Sequence, residues 1–192
     1  MDTNSIPLPA ARNLYLPDQV TQKTMNSLTS SIISINNKLR EYIKQRYPLY
    51  KLHNIEYVAA PIKIYIDSYG GSVYQCFGLL GVMDKSETPI HTIVTGCAMS
   101  CGFMILISGH KRFGYELSTP LYHQVSTGFM GTVQDMEESL KETKRLQKMV
   151  EKITLNKTKI TKKKLAEIMK NKVDWYMSAE EALNLGVVDK VI

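Results

Sequence analysis

The residue best suited to chemistry is Ser100, which lies among small residues in the stretch G-C-A-M-S-C-G at residues 96–102. An apolar run typical of a strand precedes this stretch, and the apolar residues 103–107, typical of a helix, follow it. A serine at such a turn lies beside the free backbone N–H groups of a helix start, which stabilise an oxyanion. The competing interpretation is that Ser100 is a simple helix N-cap, because a serine two residues before a glycine is a common string.

A nucleophilic serine needs a general base, and the chain has four histidines. His53 lies in a basic loop, and His91 begins a predicted strand. His110 lies about ten residues beyond Ser100, at the far end of the helix that would begin there, and is therefore too distant. His123, on a predicted short strand, is the remaining candidate. Its competing interpretation is a half-buried strand histidine with a structural partner.

The carboxylate that would orient this base is left open by the residues alone. The candidates are Asp67, Asp84, Asp135, Asp174 and Asp189. Asp135 lies in the first turn of a predicted helix, where the helix dipole already accounts for it. Asp67 ends a predicted strand beside a glycine turn. Asp174 lies in the apolar stretch V-D-W-Y-M, where an unpaired carboxylate would be costly and a specific partner is expected.

Gly70 and Gly71 form a second turn between a predicted strand and a predicted helix. Glycines allow a backbone to approach a substrate closely and to direct N–H groups at it, although a tight turn alone would also explain them. Cys97 and Cys101 are interpreted as small buried hydrophobic residues, since no Cys-His cluster completes a metal site. A thiol nucleophile at Cys101 is the alternative to Ser100.

Length and composition favour one globular domain. The chain has 192 residues with 44% hydrophobic and 22% charged content, and no apolar run approaches the roughly 18 residues that span a bilayer. The first residues lack the pattern of a secretory signal, and three cysteines suit a reducing compartment better than a disulfide framework. We therefore expect a cytoplasmic protein without a membrane partner.

The net charge of +6 is concentrated in two lysine-rich and arginine-rich segments, at residues 38–51 and 157–172. Nucleic-acid binding is one interpretation of such a segment. No aromatic residue is interleaved in residues 157–172, so a solvated helix face is favoured and no nucleic-acid partner is expected. No phosphate-loop or metal motif is present, and we expect no cofactor.

The periodicity of apolar residues predicts an α/β domain with a parallel sheet. Residues 1–17 are expected to be irregular, followed by a helix from Asp18 to about Arg46, which Pro48 ends, and a loop over 48–60. Predicted strands cover 62–67, 90–94, 112–117, 121–124 and 187–192. Predicted helices follow Gly71 and Ser100, cover 132–155, and begin after Thr161 and Ser178. The inward residues of helix 132–155 are predicted to be Val133, Met136, Leu140, Leu146, Val150 and Ile153.

Right-handed crossovers would place the two turns, at Gly70 and at Ser100, on one edge of the sheet.

Five segments, in order, are similar to those of the ClpP family, the proteolytic subunit of the ATP-dependent Clp protease. They are I-Y-I-D-S-Y-G-G-S-V at residues 64–73, the stretch at 96–102, Y-H-Q at 122–124, D-W-Y-M-S-A-E-E-A at 174–182 and L-G-V-V-D at 185–189. The resemblance covers about residues 58–192 and implies a crotonase-like α/β fold of repeated β-β-α units. A short segment, 1–17, would precede a single peptidase domain, 18–192, with an insertion at 38–54 and a handle at 125–155.

The resemblance also implies an activity and its residues. The chain would be a serine endopeptidase with Ser100 as nucleophile, His123 as general base and Asp174 as orienting acid. The oxyanion donors would be the backbone N–H groups of Gly71 and Cys101, and the substrate would bind along Gly70, Ser72, Val73 and Val125. Two stacked heptameric rings, a partner AAA+ unfoldase and unfolded polypeptide substrates are implied as well.

The sequence departs from the family pattern at several of these positions. Tyr69 and Val125 replace prolines, Cys101 replaces a methionine, and Val173 replaces a basic residue that contacts the opposite ring. The axial-loop region ahead of residue 12 is reduced, which bears on unfoldase docking and is typical of a divergent copy, such as one from a virus or mobile element. Three other functions remain open: a head-maturation or signal-peptide-type protease that needs no unfoldase, a noncatalytic ring subunit, and a crotonase-like acyl-CoA enzyme.

Overall fold

A computed structural model describes residues 12–52 and 59–192, in which helices and strands mostly alternate along the chain. The strands are β1 (Asn13–Leu16), β2 (Ile62–Ser68), β3 (Ile90–Met99), β4 (Lys111–Gly114), β5 (Thr119–Tyr122), β6 (Trp175–Tyr176) and β7 (Lys190–Val191). The helices are α1 (Gln22–Leu52), α2 (Val73–Asp84), α3 (Cys101–Ile107), α4 (Val133–Lys157), α5 (Lys162–Asn171) and α6 (Ala179–Asn184).

One sheet connects all of these strands. β1, β2, β3, β4 and β7 lie side by side in that order and are parallel. β5 pairs in parallel with the last residues of β3, and β6 pairs antiparallel with β5. The predicted single α/β domain with parallel pairing is therefore confirmed.

The core lies between the sheet and α1, α2 and α3. Along β2 the apolar residues Ile62, Ile64 and Ile66 are fully buried and alternate with more exposed residues, which is the period of a strand. Every residue of α3 is buried, so this helix forms the centre of the domain. The start of α3, where Ser100 lies, is thereby held rigidly.

The first helix differs from its predicted bounds. It begins after Thr21, whose hydroxyl accepts a hydrogen bond from the backbone N–H of Thr24 at 3.2 Å, and not at Asp18. It also continues through Pro48 to Leu52, so the predicted end of the helix was wrong. A proline removes one helical hydrogen bond and crowds the preceding turn, but the bonds on either side still allow the helix to continue.

The predicted loop at 48–60 is therefore wrong for residues 48–52. Residues 53–58, including His53, and residues 1–11 lie outside the described residues. The expectation of irregular chain over 1–17 was wrong at Asn13–Leu16, which form β1 in register with β2. The insertion at 38–54 stays a prediction; its described part lies on α1.

The long helix α4 corrects another prediction. Of the six residues predicted to face inward, Leu146 and Val150 are buried and Ile153 is half-buried. Val133, Met136 and Leu140 are 75%, 49% and 53% exposed. The pattern detected an apolar stripe, but only the second half of α4 packs on α3, so the first half presents its stripe outside the domain.

The shorter elements agree with their sequence signals, with changed bounds. Thr161 and Ser178 cap α5 and α6 as predicted, accepting hydrogen bonds from Lys164 N and Glu181 N. β3 is longer than predicted and reaches Met99, whereas the closing strand is only Lys190–Val191. Among the described residues, no helix is long and apolar enough to cross a membrane.

Candidate active site

Ser100 occupies a strained turn between β3 and α3. Its φ of 53° and ψ of −117° lie in a region that non-glycine residues rarely adopt, which costs of the order of 1–3 kcal/mol and is characteristic of functional turns. The backbone N–H of Ser100 donates to Leu121 O at 3.1 Å and so ties this turn to β5. The side chain makes no capping hydrogen bond to α3, which removes the simple N-cap interpretation.

The glycine turn lies directly against Ser100. Gly70 and Gly71 have φ values of 99° and 145°, in the region that favours glycine. A Cβ at Gly70 would lie 2.7 Å from Ser100 Cβ and 2.8 Å from Met99 O. The two predicted turns therefore meet at one edge of the sheet, with the backbone of one in contact with the other.

Val20 holds the glycine turn from the side opposite Ser100. Its backbone N–H donates to Gly70 O at 2.7 Å, and its carbonyl accepts from Ser72 N at 2.8 Å. Gly71 lies between these two bonded residues, and its carbonyl is directed the other way, towards Cys101 Sγ. Of the four residues predicted to bind substrate, Gly70 and Ser72 thus have these backbone groups engaged by Val20.

The cysteines near the turn are buried, as predicted. Cys101 Sγ donates to Gly71 O at 3.2 Å, and Cys76 Sγ donates to Cys101 O at 3.6 Å. Burial, together with a hydrogen bond to Asp67, raises the pKa of Cys97 to about 11. The Cys101 thiol is thus engaged by a backbone carbonyl of the neighbouring turn.

His123 and Asp174 are brought together by the pairing of β5 with β6. Tyr122 pairs with Trp175 in the antiparallel ladder, so the residues just beyond them, His123 and Asp174, face each other. His123 Nδ1 lies 3.7 Å from Asp174 Oδ1, with side-chain exposures of 26% and 58%. This separation exceeds a hydrogen bond and suits an ion pair once the imidazole is charged.

Ser100 and His123 line the same pocket. Four of its other lining residues are predicted site residues: Gly71, Val73, Cys101 and Val125. The remaining four were not predicted to belong to the site: Met104, Tyr122, Ser126 and Val150. The lining residues with a hydroxyl or imidazole side chain are Ser100, Tyr122, His123 and Ser126, and Gly71 and Cys101 add the backbone of the two turns. Val20, which bonds to the glycine turn through its backbone N–H and carbonyl, carried no sequence signal.

Other histidines and aspartates among the described residues have different partners. His110 Nδ1 accepts from Ile90 N at 3.0 Å, and Asp67 Oδ1 accepts from Cys97 N at 2.9 Å, at the irregularity between β2 and β3. Asp135 forms a capping box with Thr132. Among the candidate carboxylates within the described residues, Asp174 is the one at ion-pair distance from His123.

No group of three or more metal-ligating side chains occurs among residues 12–52 and 59–192. The lysines of the second basic segment are mostly exposed along α5 and its flanks, opposite the buried Leu165 and Ile168. Lys164 lies over the ring of Trp175, with Nζ 4.9 Å from its centroid.

Comparison with known proteins identifies a family. The sequence model of the family described as Clp protease matches residues 17–192. The chain is 36% identical over 133 residues to the ATP-dependent Clp protease proteolytic subunit of Deinococcus radiodurans, covering 68% of this chain and 64% of that protein. It is 29% identical over 137 residues to the ATP-dependent Clp protease proteolytic subunit 2 of Treponema pallidum, covering 70% of this chain and 68% of that protein. The match thus spans just under two thirds of the Deinococcus protein.

Proposed function

Because the chain belongs to the Clp protease family, we propose that it is a serine endopeptidase that cleaves unfolded polypeptide inside a ring assembly. One observation carries the proposal: the strained, uncapped Ser100 shares a pocket with His123, and His123 faces Asp174 at 3.7 Å. An acyl-CoA enzyme of related fold would need the backbone donors but not this pair of side chains.

The reaction follows from these positions. His123 Nε2 accepts the proton of Ser100 Oγ while Oγ attacks the scissile carbonyl, and Asp174 stabilises the imidazolium at Nδ1. The contact between His123 and Asp174 shortens in the reacting enzyme, as catalytic hydrogen bonds commonly do. The protonated His123 then gives its proton to the leaving amine, and an acyl-enzyme remains. Water, deprotonated by His123, hydrolyses the ester and regenerates Ser100.

The oxyanion of each tetrahedral intermediate is stabilised by the backbone N–H groups of Gly71 and Cys101. Both residues line the pocket that contains Ser100. The thiol of Cys101 holds Gly71 O at 3.2 Å, which orients the Gly71 turn against the start of α3. Cys101 thus contributes its N–H to catalysis, and its thiol keeps the two donors in register. The substrate extends along Gly71 and contacts Val73 and the side chain of Val125, which also line the pocket.

The assembly and the partner are further parts of the proposal. The rings would enclose the pocket, and a AAA+ unfoldase would use ATP to supply unfolded chains in the cytoplasm. ATP-dependent degradation of a folded substrate in the presence of Clp ATPases would support this partner. Cleavage of a specific substrate without any ATPase would instead support a maturation protease of the same fold.

The nucleophile is tested by Ser100→Ala. We expect this variant to lose both covalent labelling by a fluorophosphonate and cleavage of casein, because the attacking oxygen is gone. Ser108→Ala is the matched control, since the Ser108 hydroxyl donates to Met104 O at the far end of α3. Labelling that persists in Ser100→Ala and disappears in Cys101→Ala would overturn the assignment in favour of the thiol.

The carboxylate is tested by Asp174→Asn against Asp67→Asn. We expect Asp174→Asn to lower kcat for a peptide substrate by two orders of magnitude or more, since the charge facing His123 is lost. Asp67→Asn keeps an oxygen that can accept from Cys97 N, so its kcat should stay within about threefold of the wild type. The reverse order of effects would identify Asp67 as the orienting acid.

A further inference from the structure

Gln147 is a buried polar residue whose side chain is fully hydrogen-bonded. It lies on the second half of α4 and is 6% exposed. Its Oε1 accepts from Val125 N at 2.9 Å, and its Nε2 donates to Tyr122 Oη at 3.3 Å and to Glu151 Oε1 at 2.9 Å. Both amide protons and the carbonyl are therefore used. A buried amide satisfied in this way holds its partners in one arrangement.

Two of these partners flank His123 in the chain. Tyr122 precedes His123 and is fixed at the end of β5, with its ring packed edge-on against Phe103 at 5.7 Å between centroids. Val125 follows two residues later, where the chain has left the sheet. Among the described residues, the bond from Val125 to Gln147 is the one hydrogen bond to the backbone of residues 123–126 outside the strands. It is therefore the next fixed point after β5.

The geometry points to Gln147 as a positioning residue for His123, an inference that rests on the proposed function. Gln147 ties α4 to both sides of the base and so limits where the imidazole can lie relative to Ser100. A displacement of about 1 Å in a catalytic group can lower a rate by about a hundredfold. Because the Val125 N–H is already engaged, the substrate meets Val125 through its side chain.

The neighbours of Gln147 require a neutral side chain that can donate two hydrogen bonds. Burial raises the pKa of Tyr122 to about 12, so its hydroxyl stays neutral and can accept a hydrogen bond from the amide. Glu151, one turn further along α4, takes the second amide proton. A carboxylate at position 147 would lie beside Glu151 and would have no proton to give to it.

The first test is Gln147→Met, which keeps the length of the side chain and removes all three hydrogen bonds. The matched control is Gln134→Met, the same substitution at an exposed position on α4. The readouts are the rate of Ser100 labelling by a small alkyl fluorophosphonate without a peptide portion, and kcat and KM for a peptide. We expect Gln147→Met to lower the labelling rate and kcat together, by about tenfold or more. Gln134→Met should behave as the wild type.

A reciprocal exchange separates positioning from a general loss of structure. In Gln147→Glu with Glu151→Gln, the carboxylate can accept from Val125 N–H, from the Tyr122 hydroxyl and from the new amide. We expect this double variant to recover most of the labelling rate, whereas Gln147→Glu alone stays impaired. Native mass and thermal unfolding show whether each variant is assembled and folded.

The outcomes distinguish this inference from the proposed function. Wild-type protein that is not labelled at all contradicts the proposed function. Labelled wild type with equally fast labelling of Gln147→Met overturns the role of Gln147 alone. A change in KM without a change in labelling also overturns it, because Gln147 would then hold only the substrate contact. If Gln147→Met does not fold, the test rests on the double variant, Gln147→Glu with Glu151→Gln. A double variant that folds but is labelled slowly at Ser100 contradicts the inference.

Discussion

Gly70 determines whether the turn at Ser100 can form. Its φ of 99° favours glycine, and the position of a Cβ would lie within 3 Å of both Ser100 Cβ and Met99 O. The nearest obstacles belong to the backbone and the turn, which cannot move aside cheaply. The sequence explains Gly70 by a tight turn alone. The structure shows that a glycine is also needed because the backbones of the two turns lie so close together.

Gly70→Ala tests this requirement. We expect it to lower the free energy of unfolding by about 1–3 kcal/mol and to reduce labelling of Ser100 at least tenfold, because strain and collision act on the same turn. Gly78→Ala is the matched control: it lies within α2, and nothing is within 4 Å of its added Cβ. That variant should be neutral or more stable by up to about 1 kcal/mol. Equal unfolding and labelling of the two variants would contradict the close approach.

At the scale of elements, the two-residue strand β6 determines where Asp174 lies. β6 pairs with β5, and Met177 N donates to Pro120 O at 2.9 Å just beyond it. Trp175 Nε1 donates to Glu181 Oε1 at 3.1 Å, which joins β6 to α6. These contacts fix Trp175 and Met177, which follow Asp174 in the chain. A short element with few residues of its own is therefore held by its partners.

The central strand β3 carries a histidine between two cationic neighbours. His91 is in register with Lys63 on β2 and Lys111 on β4. Burial, then the charges of Lys111, Lys63 and His110, lower the pKa of His91 below its ordinary value. The folded protein therefore resists protonation of His91, whereas the unfolded chain accepts the proton near pH 6.5. Stability contributed by the neutral form is present above that pH and is lost as the pH falls through the folded pKa.

His91→Gln tests this linkage through unfolding by urea at pH 7 and pH 5. We expect the wild type to lose more stability than the variant between these two values, since the variant has no proton to bind at position 91. Lys63→Met should also reduce the loss by removing one of the opposing charges. Lys51→Met is the control, because Lys51 lies on the last turn of α1 and is exposed. A loss that is the same in wild type and His91→Gln would contradict the role of His91.

At the scale of the whole molecule, the first half of α4 is an unpaired apolar surface. Val133, Met136 and Leu140 are exposed, and Phe129 and Met130, just before the helix, are 43% and 97% exposed. Exposed apolar patches of this kind mark interaction sites. The surface lies in the region that the family resemblance implies to be the handle. We expect it to join two rings of this chain face to face.

Leu140→Glu tests the role of this surface. A charge in an apolar contact between rings should prevent their pairing, so we expect the native mass to fall by half while the circular dichroism spectrum is unchanged. Lys141→Ala is the control, because it changes the adjacent exposed residue without adding a charge to the apolar stripe. An unchanged native mass for Leu140→Glu would show that the rings pair elsewhere, or that no second ring is present.

Local signals in the sequence determined much of this structure. The alternation along β2, the caps at Thr161 and Ser178, and the two turns at Gly70 and Ser100 were all predicted, because each depends on periodicity or on the backbone freedom of one residue. The residues alone left Asp67 and Asp174 open as the carboxylate. The family resemblance implied Asp174 without a physical reason.

The tertiary structure decided the features that depend on distant partners. Asp67 is engaged by Cys97 N–H across two strands, while the pairing of β6 with β5 brings Asp174 to His123 from 51 residues away. Helix α4 is a second example. The sequence shows its apolar stripe, but only the packing on α3 shows which half of that stripe is buried and which half is exposed. The sequence around Ser100 indicates a turn, whereas only the fold brings Gly70, Val20, His123 and Gln147 together near it. Short segments of the sequence are enough to predict local conformation, because it depends on neighbouring residues. The site depends on contacts between distant segments, which only the tertiary structure shows.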